Sequence, residues 1–268
     1  MAKYLVTGAG GGMGSAICRR LAEEGHQVWG IDRNIPDGFT GAGFIAADLT
    51  RREDVQAAFD QIHAEAGCLN GIIHAAGVYD LNSLVEIQEE EFRRDFDINL
   101  FGIYRVNRLF MPVLSPRSRI IIISSELAPL HPLPFTGIYA ITKTAVEQYA
   151  AALRMELQLL GHQVVVVRPG AVKTGMLPAS TKKLENFCAE TRYYRCNAER
   201  FHSIVRRVET RNISPEKIAE TVSRSLAAAR PRLVCNVNRN PLLLLFNALP
   251  KRAQLRIIRR ILADQNRQ

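Results

Sequence analysis

Apolar residues along this chain follow two alternating rhythms. Short runs dense in strand formers, at residues 3–7, 27–31, 43–47, 70–74, 120–123 and 163–167, predict strands. Between them apolar positions recur every three or four residues, as in Ile17, Cys18, Leu21 and Ala22 before Gly25, and in Val55, Ala58, Phe59 and Ile62, where Thr50 stands ready to cap a helix. Longer helical stretches are predicted over 89–114 and 137–160, with another near Ser214 and a turn over 34–38. The run 120–123 has no polar alternation and so suits a strand covered on both faces. Strand and helix in alternation predict a single-domain α/β fold, a doubly wound parallel sheet of the Rossmann type with right-handed crossovers and ligands at the C-terminal strand ends.

Asp32, Asp48, Gly77, Ser125 and Gly170 all fall at such ends, so the topology draws them to one cleft. The first strand runs straight into Gly8-Ala9-Gly10-Gly11-Gly12-Met13-Gly14 and then a helix. A glycine turn feeding a helix N-terminus points backbone N–H groups at an anion and so suits a pyrophosphate. The spacing Gly8-x-x-x-Gly12-x-Gly14 is a variant of the dinucleotide turn, with Met13 where a last glycine would stand. Asp32 lies where a carboxylate would hold the adenosine ribose and repel a 2′-phosphate, which favours NAD over NADP; Arg33 beside it weakens that preference. Small residues at Ala75, Ala76 and Gly77 would let a flat ring approach the backbone. Tyr139 and Lys143 share a helical face one turn apart. A tyrosine ordinarily loses its proton near pH ~10, and a fixed cation beside it is expected to bring that value down toward the range of general-base chemistry.

Charge and cysteine usage narrow the classes. The 268 residues suit one large domain, and the five cysteines are odd in number, scattered and never in C-x-x-C spacing, which argues against a disulfide framework or a metal site. No signal peptide is expected ahead of the first strand, the run 242–246 is too short to span a bilayer, and a cytoplasmic location is the expectation. Of the net charge of +9, much sits in the C-terminal part, where Lys251, Arg252, Arg256, Arg259, Arg260 and Arg267 face only Asp264. Leu255, Ile258, Ile261 and Leu262 are predicted to share one face of a basic amphipathic helix. Such a helix either packs on its own domain or touches an anionic membrane. Nucleic acid is disfavoured, because aromatic and basic residues are not interleaved there. We divide the chain into a catalytic domain over 1–238, with a substrate lid at about 175–212, and a basic extension over 239–268.

Taken in order, Thr7-Gly8-x-x-x-Gly12-x-Gly14, Asp48, Asn99, Ser125, Tyr139-x-x-x-Lys143 and Pro169-Gly170-Ala171-Val172-Lys173-Thr174 resemble the motif set of the short-chain dehydrogenases/reductases. The resemblance implies an NAD(P)-dependent oxidoreductase that interconverts a secondary alcohol and a ketone by hydride transfer. It assigns Tyr139 as general acid/base, Lys143 as the group that lowers its pKa and binds the nicotinamide ribose, Ser125 as the hydrogen bond to the reacting oxygen, and Asn99 as the holder of a relay water. Gly8, Gly12, Met13 and Gly14 would lie along the pyrophosphate, Asp48 and Leu49 beside adenine, Gly77 near its ribose, Val172 and Thr174 at the carboxamide, and Pro169 and Gly170 against the cofactor as well.

Two departures stand out. His74-Ala75-Ala76-Gly77 replaces the family's Asn-Asn-Ala-Gly, so the amide that braces the central strands is missing at Ala75. Ser125 also precedes Tyr139 by one residue more than expected, which leaves Ser124 as the alternative and puts a bulge within 129–134, where His131 either meets substrate or is solvated. The aromatic and aliphatic content of the lid and the likeness of residues 232–252 to the tails of hydroxysteroid, retinol and 3-hydroxybutyrate dehydrogenases imply a hydrophobic, steroid-like substrate. The resemblance also implies a homodimer or homotetramer, paired through the helices at 100–114 and 139–160. The rival readings are a non-catalytic dinucleotide-binding regulator and a lipid-associated protein that acts through its basic tail.

Overall fold

The computed structural model describes residues 1–34, 43–209 and 211–263. Seven strands among them, β1 (Lys3–Thr7), β2 (Gln27–Asp32), β3 (Gly43–Ala46), β4 (Leu69–His74), β5 (Leu114–Ile123), β6 (Gln163–Pro169) and β7 (Val234–Val237), form one parallel sheet in the order β3-β2-β1-β4-β5-β6-β7. The chain walks outward from β1 to β3 and then returns to pair β4 with β1, through Thr7 opposite His74. That reversal opens a crevice at the C-terminal strand ends.

Helices cover both faces. On one side α1 (Gly12–Glu23) and α8 (Pro215–Ala227) set Ile17, Leu21, Ile218 and Val222 against Val6, Ile73, Ile121, Ile123, Val165 and Val167. On the other, α2 (Arg52–Ala66), α4 (Gly102–Phe110) and α5 (Gly137–Leu157) cover Leu5, Ile31, Ile72, Ile120, Ile122, Val164 and Val166. Successive isoleucines of β5 therefore enter opposite layers, the physical reason for the unbroken apolar run.

Several expectations need correction. The stretch 89–114 is not one helix: α3 (Glu89–Phe96) passes through a π turn (Asp97–Phe101) into α4, and Leu114 already belongs to β5. Pro112, which has no N–H to give, sits in the short 3₁₀ turn that ends the helical stretch. Thr50 does not cap α2; its N–H and hydroxyl both donate to Asp48 Oδ1 at 2.8 Å, and Arg51 occupies the cap position. β7 escaped notice because four residues at a sheet edge, three half-buried and Asn236 exposed, carry little periodicity. The predicted turn at 34–38 lies, beyond Asn34, outside the described residues, as do Thr210 of the lid and 264–268 of the tail.

After β6, α6 (Met176–Glu190) and α7 (Arg195–Glu209) stand over the crevice on a core of their own, where Leu184, Phe187, Phe201 and Val205 meet Leu81 and Phe135. The C-terminal α9 (Pro241–Ala248) and α10 (Lys251–Leu262) close the structure. Leu262 and Ile258 of α10 join that lid core, and Gln254 is buried with them. The buried stripe is thus 254, 258 and 262, whereas Leu255 and Ile261, expected on the same face, are 67% and 50% exposed. Leu255 lies one residue, about 100° of helix, away from that stripe.

Candidate active site

The phosphate turn depends on close backbone approach. A Cβ on Gly14 would lie 2.0 Å from the carbonyl oxygen of Gly8, so α1 can begin against the end of β1 only where no side chain intervenes. Gly8 itself has φ +71°, and a Cβ there would strike the backbone of Ala75 and Ala76 at 2.5–2.7 Å. The resulting cleft, of about 430 Å³, is walled by Gly8, the turn 10–14, Asp32, Arg33, Asp48, Leu49, Ala75, Ala76, Gly77 and Thr174. Gly10 and Gly11 belong to this wall although sequence reasoning gave them no cofactor role; Gly10 N–H donates to Asp32 Oδ2 at 3.0 Å. Arg33 N–H donates to the other oxygen at 2.7 Å, so the Asp32 carboxylate is held at the end of β2 by two backbone bonds. A side-chain-free cradle at a helix N-terminus with a carboxylate beyond it fits a dinucleotide.

A second cavity of about 190 Å³ adjoins the first and shares Met13, Tyr79, Thr174 and Met176 with it. Ser124, Ser125, Tyr139, Pro169, Gly170 and Val172 line it. Of Pro169, Gly170, Val172 and Thr174, all expected against the cofactor, Thr174 lines both cavities and the other three line the second. Ser125 stands near enough to the Tyr139 phenol to draw its pKa downward, and Leu127 N–H donates to Ser125 Oγ at 3.2 Å. The Ser124 hydroxyl is buried without a partner among the described residues. Between the alternatives, Ser125 is the serine engaged with the phenol.

Lys143 and Asn99 stand behind the wall at Gly77, where an added Cβ would come 3.4 Å from Lys143 Nζ and 3.1 Å from Asn99 Oδ1. Lys143 donates to Ile123 O at 3.1 Å and lies 5.9 Å from the Tyr139 ring centroid. Asn99, on the π turn, clamps both backbone groups of Val78, at 2.8 and 3.1 Å, and donates to Thr142 Oγ1 at 3.0 Å.

The acid–base setting differs from expectation. Burial pushes the Tyr139 phenol up to about 12; the neighbouring Ser125 hydroxyl works downward and the charge of Glu126 upward. Burial also brings the Lys143 ammonium down to about 8, against the attraction of Glu147. Desolvation of the phenolate outweighs the field of a lysine that is itself desolvated and bonded to a main-chain carbonyl. At neutral pH Tyr139 therefore carries its proton.

The missing family amide has a replacement that sequence reasoning overlooked. His74 Nε2 bonds Asn107 Oδ1 at 2.8 Å, and Asn107 donates to Tyr149 at 3.1 Å, a buried chain that ties β4 to α4 and α5. Ala75 contributes its backbone, donating to Thr7 O at 3.1 Å. Tyr79 was also overlooked: its ring packs edge-on to Tyr139 at 4.6 Å and lines both cavities. His131 lines neither cavity, because it bonds Asn247 and Gln254 and so holds its loop to α9 and α10. Across the crevice Lys183 of α6 pairs with Asp80 at 2.5 Å, tying α6 to the cleft wall.

Comparison with known proteins agrees with this geometry. Residues 3–185 match the family model described as short chain dehydrogenase. A 3-ketodihydrosphingosine reductase of Bacteroides thetaiotaomicron is 28% identical over 229 residues, 85% of this chain and 84% of that protein. A 3-oxoacyl-[acyl-carrier-protein] reductase of Chlamydia muridarum is 28% identical over 195 residues, 68% of this chain and 78% of its own length. The ligand-free aldohexose dehydrogenase of Thermoplasma acidophilum superposes with a TM-score of 0.73 at 23% identity, over 90% of this chain and 95% of that one. Motif order, cleft and family match converge: the chain belongs to the short-chain dehydrogenase family of NAD(P)-dependent oxidoreductases.

Proposed function

We propose that this enzyme reduces a ketone on a hydrophobic skeleton to the secondary alcohol, with NADH as the preferred donor and Tyr139 as the proton source. The observation that carries the reading is the pair of neighbouring hydroxyls, Ser125 and Tyr139, in an apolar cavity that adjoins the glycine-walled cleft. A bound nicotinamide would supply the hydride. Ser125 orients the carbonyl oxygen and Tyr139, kept protonated by burial, delivers the proton to it. Lys143 and Asn99 position that phenol and the backbone around Gly77.

Leu127, Leu133, Phe201, Ile204 and Leu243 give the second cavity its hydrocarbon character. Relatives named for reducing 3-ketodihydrosphingosine and 3-oxoacyl groups favour a chain-like skeleton over the steroid-like one implied by the tail. The position of Asp32, its carboxylate resting on the turn at Gly10, supports NAD over NADP through repulsion of a 2′-phosphate. Peripheral contact with an anionic membrane belongs to the same reading. Leu243 lines the cavity while Leu242 and Leu245 of the uncharged α9 are 63% and 67% exposed, and α10 turns Arg252, Arg256, Arg259 and Arg260 outward. Exposed Phe101 and Tyr104 beside α4, with Ile141 on α5, support pairing of two subunits through these helices.

The test is turnover of medium-chain methyl ketones followed at 340 nm with NADH and NADPH in parallel. Tyr139→Phe should lower kcat by roughly 100- to 10,000-fold while NADH still binds. Undiminished turnover by that variant would falsify the assigned acid.

A further inference from the structure

Glu126 follows Ser125 directly and turns into the same cavity, where it is 7% exposed and is the one charged side chain among the described lining residues. Its Oε2 accepts Asn240 N–H at 2.7 Å, just ahead of α9. No donor reaches Oε1 among the described residues, and that oxygen lies 3.0 Å from where a Cβ on Gly170 would stand, above the end of β6. Arg239 acts on Glu126 through its field alone, without a hydrogen bond. Burial raises the carboxyl's pKa above the ordinary range, which means that a charge here is costly.

Holding Asn240 in place needs one neutral acceptor, and an uncharged amide would serve without that cost. A carboxylate with an unused oxygen, beside the reacting hydroxyls in a cavity whose other lining side chains are uncharged, marks a point of recognition. We propose that Glu126 is a specificity-determining residue that binds a protonated amine carried next to the reacting carbonyl, so that the substrate class is an amphiphilic α-amino ketone. This deepens the ketone-reductase reading and rests on it. The adjacency follows from the chain: Ser125 and Glu126 are consecutive, both face the cavity, and the Glu126 charge is close enough to raise the Tyr139 pKa. An ammonium is favoured over a hydroxyl because it also neutralises a charge that the cavity desolvates.

Glu126→Gln keeps the shape and the acceptor for Asn240 while removing the charge. Calorimetric titration of the full-length protein with octylammonium and with 1-octanol should show the amine binding roughly 10- to 100-fold tighter to the wild type, and the preference vanishing in the variant. The kcat/KM ratio for 1-(dimethylamino)decan-2-one over decan-2-one should fall by a similar factor. Any effect of the substitution on Tyr139 acidity is common to both ketones and cancels in that ratio. Equal binding of amine and alcohol by the wild type, a comparison that needs no variant, would overturn the subsite, as would a preference that survives in Glu126→Gln. Failure to reduce either ketone while the Glu126-dependent amine preference persists would instead sink the assigned reaction and leave the carboxylate site standing.

Discussion

Replacing Gly14 by alanine tests whether the turn 8–14 is a phosphate cradle or merely a flexible joint. The new Cβ would sit 2.0 Å from Gly8 O, whereas ordinary contact begins at 3.4 Å, so strand end and helix must part by the difference, 3.4 − 2.0 = 1.4 Å. Neither side can yield cheaply, because the obstructing atoms, Gly8 O and C and Ala9 Cα, are all backbone. Overpacking of this kind costs about 1–3 kcal/mol of stability. The same displacement carries the N–H groups at the start of α1 out of hydrogen-bond range of an anion. Losing one charge-assisted bond, about 1.5–3 kcal/mol, weakens NADH binding roughly 10- to 100-fold. Gly25→Ala is the control: φ +80° imposes strain of about 1 kcal/mol, but nothing lies within 4 Å of the new methyl and the site is remote. NADH fluorescence titration with urea melts of both variants reads the two effects separately. Unchanged NADH affinity in Gly14→Ala, or an equal loss in Gly25→Ala, would refute the cradle.

Three further outcomes are expected. His74 is held near pKa 4 by burial, below about 6.5 for an unfolded histidine, so it binds its proton only on unfolding: the stability it confers is full above pH ~6.5 and is lost as pH falls toward 4, up to about 3 kcal/mol. Urea melts should show His74→Leu losing less stability than wild type between pH 7 and 4.5, and parallel pH dependences would contradict this. Lys183→Ala unfastens α6 from Asp80, so stopped-flow dissociation of NADH should quicken a few-fold with melting nearly unchanged, since a half-exposed pair stabilises by less than about 1 kcal/mol; an unaltered rate would show that the ion pair does not restrain the lid. Neutralising Arg252, Arg256, Arg259 and Arg260 to glutamine removes about 1 kcal/mol of surface attraction per charge, so retention on phosphatidylserine vesicles should drop by at least tenfold; equal retention of both proteins on phosphatidylserine vesicles would argue against an electrostatic contact.

The sequence by itself determined the alternation of strand and helix, the glycine turn, Asp32 at the end of β2, and the one-turn spacing of Tyr139 and Lys143, because periodicity and turn chemistry act over a few residues. What only the tertiary structure decided depends on groups that meet from distant segments. The π turn that aims Asn99 at Val78, the chain from His74 through Asn107 to Tyr149, and the packing of Tyr79 on Tyr139 join residues 21 to 75 positions apart and leave no local pattern. The protonation states belong to the same class. A lysine one turn from a tyrosine reads as a pKa-lowering neighbour until burial is known, and burial here reverses the direction. Glu126 shows the limit most sharply: beside Ser125 in the chain it looks like any loop acid, and only the enclosing walls of Leu133, Phe201 and Leu243 make its charge costly enough to call for a partner.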